Sequence, residues 1–79
     1  MKSRRDKKFL ESLGKRVREL RNAQGISQTQ LAYECGIHRD QVGRIELGKQ
    51  SATITVLASI ADALHVDLSE LVRLPGGKT

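Results

Sequence analysis

The side chains best suited to specific chemistry cluster in one short stretch that contains Arg39, Asp40 and Arg44. An arginine can donate two hydrogen bonds to O6 and N7 of guanine, and an aspartate can accept one from N4 of cytosine. In a helix, Asp40 and Arg44 lie one turn apart, and Gly43 lies on the same outward side. A helix that presents this face outward is free to enter the DNA major groove, where these side chains would meet base edges. The alternative is a solvated charged face with an Asp40–Arg44 ion pair.

Two short helices that cross closely would position this face. Apolar residues at helical spacing mark one inward side on each helix: Leu31, Ala32, Cys35, Val42 and Ile45. Gly36 lies between the two groups, and glycine enters the left-handed backbone region without steric cost, so a helix can end after Cys35. Residues 28–47 therefore predict a helix-turn-helix.

The rest of the chain predicts three further helices. Leucine and valine at spacings of three and four mark a first helix over residues 7–24. Ser27 followed by Gln30 is a capping-box pattern for the helix over 28–35, and the third helix is expected over 39–47, closed by Gly48. Thr53 is expected to cap a fourth helix that stops near His65.

Asp67 and Glu70 repeat the capping-box spacing before a short fifth helix. The predicted organisation is a basic, flexible segment over residues 1–8, one helical domain over residues 9–74 and a flexible tail over residues 75–79. A chain of 79 residues forms one small domain without room for a large active-site cleft.

Charge is distributed unevenly along the chain. Residues 1–21 contain nine Lys/Arg and three Asp/Glu, whereas residues 22–79 contain five Lys/Arg and six Asp/Glu. A basic leading segment beside a helix-turn-helix favours attraction to DNA phosphates, and the alternative is a solubilising tail.

Other function classes are disfavoured by what the sequence lacks. One cysteine and two histidines provide no metal-ligand spacing and no nucleophile-base pair, so we expect no enzyme, no metal and no cofactor. There is no 18-residue apolar stretch, so we expect a cytoplasmic protein that does not bind membranes.

Residues 13–71 resemble the helix-turn-helix family of phage lambda repressor and Cro, also called the XRE family. The matching stretches are LGKRVRELRNAQGISQTQLA, CGIHRDQVGRIELGK and LASIADALHVDLSELV. The residues at family spacing are Arg21, Gly25, Gln28, Leu31, Ala32, Gly36, Glu46 and Gly48. The resemblance implies an all-α, five-helix lambda-repressor-like DNA-binding domain from a bacterial or phage transcription regulator, with helices 2 and 3 forming the helix-turn-helix.

The resemblance also implies roles for individual residues. The expected base-contacting residues are Arg39, Asp40, Gly43 and Arg44. The expected phosphate-contacting residues are Gln28, His38, Gln41, Lys49, Gln50 and Ser51. Gly43 either lets the helix backbone lie deeper in the groove or is merely tolerated. The family often has a proline near Ala52, and its absence here puts the rigidity of the loop over residues 49–51 in question.

Arg21 and Glu46 are implied to form a partly buried ion pair that ties the first helix to the end of the third. If the pair is buried, removal of one partner strands a charge and costs about 3 to 5 kcal/mol. If the pair is exposed, it contributes less than about 1 kcal/mol.

The expected molecule is a homodimeric, sequence-specific regulator, with repression as the expected outcome, that binds palindromic double-stranded DNA. Residues of the fifth helix are candidates for the dimer interface or, alternatively, for the internal core: Leu68, Leu71, Val72 and Leu74. Two other interpretations are a restriction-modification controller protein and an antitoxin that binds DNA only with a toxin partner. An antitoxin often needs a partner-binding extension, and little sequence follows Leu74, so we expect it less.

Overall fold

The computed structural model describes residues 4–73, with side chains from Asp6 onward, and every regular element in this part of the chain is helical. The helices are α1 (Arg4–Gln24), α2 (Gln28–Cys35), α3 (Arg39–Glu46), α4 (Ile54–Ala63) and α5 (Leu68–Leu71). α1 packs against α3 and α5, and α2 packs against α3 and α4. The predicted all-α, five-helix order is confirmed.

The largest boundary difference is at the start of α1. The helix begins at Arg4, so residues 4–8 belong to it although the sequence suggested a flexible basic segment there. Residues 6–9 are exposed, and such a turn carries no apolar periodicity from which its helical state can be recognised. Residues 1–3 and 74–79, including Leu74 and the predicted tail, lie outside the described residues.

Helix caps agree with the prediction at two of three positions. Ser27 Oγ accepts a hydrogen bond from the Gln30 backbone N–H at 3.0 Å, and Thr53 Oγ1 accepts one from Val56 at 3.1 Å. Asp67 has the extended backbone of an N-cap residue, but its side chain makes no capping hydrogen bond. The capping-box prediction at Asp67 was therefore wrong. α5 is a single turn that is held by its apolar side rather than by its cap.

The core is aliphatic and lies where the helices meet. Its most deeply buried side chains are Leu31, Ile45, Ile60, Leu64, Leu71, Val17 and Val42. Leu71 is fully buried within its own chain, which for this residue favours the internal core over the dimer interface. Leu68 and Val72 are half-buried against this core. The structure gives α5 an internal packing role first, and only its partly exposed residues can meet another subunit.

Candidate nucleic-acid interface

The outward side of α3 carries the four predicted base-contacting residues. Val42, Ile45 and Glu46 are buried beneath the helix, and Arg39, Asp40 and Arg44 are exposed. Gly43 lies among them, half-exposed. The helical period therefore sorts α3 into a core side and a charged outer side with a small residue near its middle.

Ion pairing on this outer side differs from the alternative that we considered. Asp40 Oδ1 lies 3.5 Å from an Arg39 terminal nitrogen, and the two side chains are 58% and 70% exposed, respectively. The Asp40–Arg44 pair is not formed. An exposed pair such as Arg39–Asp40 contributes less than about 1 kcal/mol, so either side chain can exchange its partner for a DNA group at little cost.

Beneath the outer side, Glu46 joins three helices. Its carboxylate accepts from Arg21 Nε at 2.6 Å and from the Arg21 Nη2 atom at 3.1 Å, a bidentate pair between α1 and α3. The two side chains are only 10% and 1% exposed. Arg21 also donates to the Ile26 carbonyl oxygen at 2.9 Å. The hydrogen bonding that Arg21 donates to the Glu46 carboxylate raises the pKa of Arg21 above its ordinary value, against the lowering effect of burial.

Gln28, the first residue of α2, joins the same carboxylate. Its Nε2 donates to Glu46 Oε1 at 3.0 Å, a bond that no spacing in the sequence predicts. The amide nitrogen is therefore committed inside the protein, which weakens the expectation of a side-chain phosphate contact. Ser27 Oγ accepts a hydrogen bond from the N–H of Gln30. Within the described part of the chain, the N–H groups of Gln28 and Thr29 are therefore left for a phosphate at the positive end of the helix dipole.

The loop after α3 is held by backbone contacts. The N–H of Gly48 donates to the Ile45 carbonyl at 3.0 Å, and that of Lys49 donates to the Arg44 carbonyl at 2.9 Å. Gly48 has φ +72°, and an added Cβ would lie 2.7 Å from Cα of Glu11. The loop is thus anchored on α1 without a nearby proline. The Lys49 N–H is used internally, and only its exposed ammonium is left for a phosphate.

The two ends of the outer side carry the remaining candidates. Arg44 Nε donates to Oε1 of Gln50 at 2.6 Å, which links α3 to the loop, and Ser51 is exposed next to it. At the other end His38 is the exposed N-cap residue of α3 without a side-chain capping bond, and Gln41 is half-exposed. His38 and Arg39 border a shallow depression with Tyr33, a residue that is 85% exposed.

Chemically reactive groups are scarce in the described residues. Cys35 is half-buried beside the core, and burial, followed by the nearby Glu34 and Asp62 carboxylates, raises the pKa of its thiol, which disfavours the reactive thiolate. Residues 4–73 contain no group of three or more His, Cys, Asp or Glu side chains placed to hold a metal ion. Over the same residues, no helix has both the length and the apolar character to cross a membrane.

Comparison with known proteins agrees with this geometry. The helix-turn-helix family model HTH_3 matches residues 17–71. The chain is 35% identical to control protein C.SmaI of Serratia marcescens over 68 residues, which cover 86% of this chain and 81% of that protein. It is 33% identical to control protein C.BamHI of Bacillus amyloliquefaciens over 60 residues, which cover 75% of this chain and 74% of that protein.

A solved structure gives the same result in three dimensions. The restriction-modification controller protein C.AhdI of Aeromonas hydrophila superposes with a TM-score of 0.77 at 39% identity, covering 78% of this chain and 94% of that one. The family match spans all of α2, α3 and α4, the helices that carry or support the charged outer side. The chain belongs to the HTH_3 helix-turn-helix family of DNA-binding transcription regulators.

Proposed function

We propose that this chain is a controller-type regulator that binds a palindromic operator as a homodimer and sets the transcription of restriction-modification genes. The observation that carries the proposal is the outer side of α3, where Arg39, Asp40, Gly43 and Arg44 are presented together above a buried support. The controller assignment is supported by C.SmaI and C.AhdI, each similar to most of this chain.

In this proposal the outer side of α3 contacts bases and the surrounding groups contact phosphates. Arg44 and Arg39 donate to guanines, and Asp40 accepts from a cytosine once it exchanges its weak pairing with Arg39. The ammonium of Lys49, the Gln50 amide and the Ser51 hydroxyl contact one stretch of backbone. His38, Gln41 and the first N–H groups of α2, at Gln28 and Thr29, contact another stretch.

Dimerisation follows from the small reach of one recognition helix. One helix covers only a few base pairs, and two helices about 34 Å apart read two half-sites one helical turn apart. Leu68 and Val72, half-buried on α5, are the apolar residues that we assign to the subunit contact. A controller of this kind acts on cellular DNA, so we propose a cytoplasmic location.

The proposal is tested by selecting bound sequences from a random duplex library and then comparing two exposed cations. Arg44→Ala is expected to lower the preference for the selected site by about 1 to 3 kcal/mol per affected base pair, because the lost group contacts a base edge. Lys49→Ala is expected to weaken all duplexes alike and to reduce the salt slope by about one. Equal losses on selected and random duplexes for both variants, or a selected site without two-fold symmetry, would contradict the proposal.

A second test uses Gly43, where one methyl group should have opposite effects on stability and on binding. An added Cβ would lie 3.9 Å from the Gln28 amide, an ordinary contact, and outside the adjoining part of α3 no other heavy atom lies within 4 Å of it. Gly43→Ala should therefore raise the free energy of unfolding by about 0.5 to 1 kcal/mol through helix propensity. It should also weaken DNA binding, because the methyl group extends into the groove. Urea unfolding and DNA titration measure the two effects, and unchanged affinity would show that Gly43 is merely tolerated.

A further inference from the structure

We propose that Gln50 is a positioning residue for base recognition, which fixes the direction in which Arg44 presents its guanidinium to DNA. The inference rests on the proposed function and refines the role of one loop residue that was expected to contact only a phosphate. On the candidate interface, Arg44 Nε donates a hydrogen bond to Gln50 Oε1 at 2.6 Å. This is a charge-assisted bond, which is shorter and stronger than a bond between neutral groups.

The atoms used in this bond determine which N–H donors of Arg44 remain available to DNA. A guanidinium has five N–H donors in one plane. The bond to Gln50 occupies the single N–H on Nε of Arg44, so the four N–H groups on the two terminal nitrogens stay available. These two nitrogens form the end of the fork, and they can donate side by side to O6 and N7 of a guanine. Gln50 therefore takes the one donor that an end-on contact does not need.

Gln50 can hold this position because the two residues before it are held by the protein itself, independently of DNA. The Lys49 N–H closes the end of α3 on the Arg44 carbonyl at 2.9 Å, only one residue before Gln50. Gly48 is packed so closely on Glu11 of α1 that a Cβ at that position would lie 2.7 Å from the Glu11 Cα. A long exposed arginine without such a hydrogen-bond partner loses rotamer freedom when it binds DNA, at a cost of about 0.5 to 1.5 kcal/mol.

The amide of Gln50 has a second group that separates its two roles. Its Oε1 accepts from Arg44, whereas a phosphate, which is an acceptor, can be contacted only by the Nε2 donors. A glutamate at this position keeps the acceptor for Arg44 and loses the donor for phosphate. Methionine keeps the length of the side chain and loses both functions. These two substitutions distinguish orientation of Arg44 from attraction to the backbone.

The test measures affinity for the selected site and for variants of that site with one changed base pair. The changed base pair is the one at which the Arg44→Ala protein no longer shows a sequence preference. Gln50→Met is expected to lower the preference at that base pair by about two- to tenfold, because the cost of ordering Arg44 must then be met on binding. Gln50→Glu is expected to keep the preference while binding every duplex more weakly, since it brings a negative charge towards the phosphates. In an Arg44→Ala background, Gln50→Met should cause no further loss of preference.

Two outcomes overturn the inference. If Gln50→Met weakens binding to all duplexes equally and the full sequence preference remains, Gln50 contacts only phosphate. Loss of preference by Gln50→Glu to the same degree as by Gln50→Met would show that the acceptor atom is not what matters. A wild-type protein without any sequence preference would instead refute the proposed function itself, and the inference with it.

Discussion

Replacement of Glu46 by glutamine is expected to lower the free energy of unfolding by about 3 to 5 kcal/mol, because it leaves the buried guanidinium of Arg21 without a compensating charge. The glutamine has nearly the same shape, so the loss measures charge and hydrogen bonding rather than volume. The Glu46 carboxylate is 1% exposed and accepts bonds from both Arg21 and Gln28. A small domain has few kcal/mol to lose, so the variant should be largely unfolded well below the melting temperature of the wild type.

Asp40→Asn provides the matched control for this experiment. It is also a carboxylate-to-amide change on α3, but Asp40 is 70% exposed and lies 3.5 Å from its partner Arg39. We expect a change of less than about 1 kcal/mol for Asp40→Asn. Thermal unfolding followed by circular dichroism compares the two variants. If Glu46→Gln melts at the same temperature as Asp40→Asn, the ion pair does not support the fold.

The helical frame of the molecule was largely predictable because it depends on local rules. The capping pattern at Ser27 and the turn glycine Gly36 placed α2 at Gln28–Cys35, and Thr53 was recognised as the cap of α4. The start of α1 was placed three residues late, since its first exposed turns have no apolar side. The missing side-chain bond of Asp67 depends on a rotamer, which a capping pattern does not fix.

The candidate site was predictable in its outline but not in its contacts. The helical period was enough to place Arg39, Asp40 and Arg44 on the outward side of α3. The bonds from Gln28 to Glu46 and from Arg44 to Gln50 join residues 18 and 6 positions apart. Such contacts depend on how helices cross and on which rotamers the crossing allows. No single-sequence period carries that information.

The division of apolar residues between the core and a subunit contact was also beyond the sequence. The leucines of α5 share one side of a single turn, and their spacing is the same whether they meet their own chain or a second one. The packing of α5 on α1 and α4 buries Leu71 completely. The folded structure is needed to show that Leu71 belongs to the core, whereas Leu68 and Val72 stay partly exposed.

Gly14 has a structural role that the sequence does not reveal, and its replacement by alanine is the second large effect that we expect. Glycine inside a helix costs about 1 kcal/mol relative to alanine, so on propensity alone Gly14→Ala should stabilise α1. In the structure, however, a Cβ on Gly14 would press on the carbonyl oxygen of Ile45 and lie 2.5 Å from that of Glu46. Both obstacles are backbone atoms, which cannot rotate away as the end of a side chain can.

Gly14→Ala must therefore push α1 away from the end of α3. Overpacking of this kind typically costs about 1 to 3 kcal/mol and sometimes more, which outweighs the gain in propensity. Gly43→Ala is the matched variant, because it makes the same change inside a helix where the added methyl meets only an ordinary contact. Urea unfolding should rank Gly43→Ala above the wild type and the wild type above Gly14→Ala. A Gly14→Ala protein as stable as Gly43→Ala would mean that the two helices do not approach as closely as their backbones indicate.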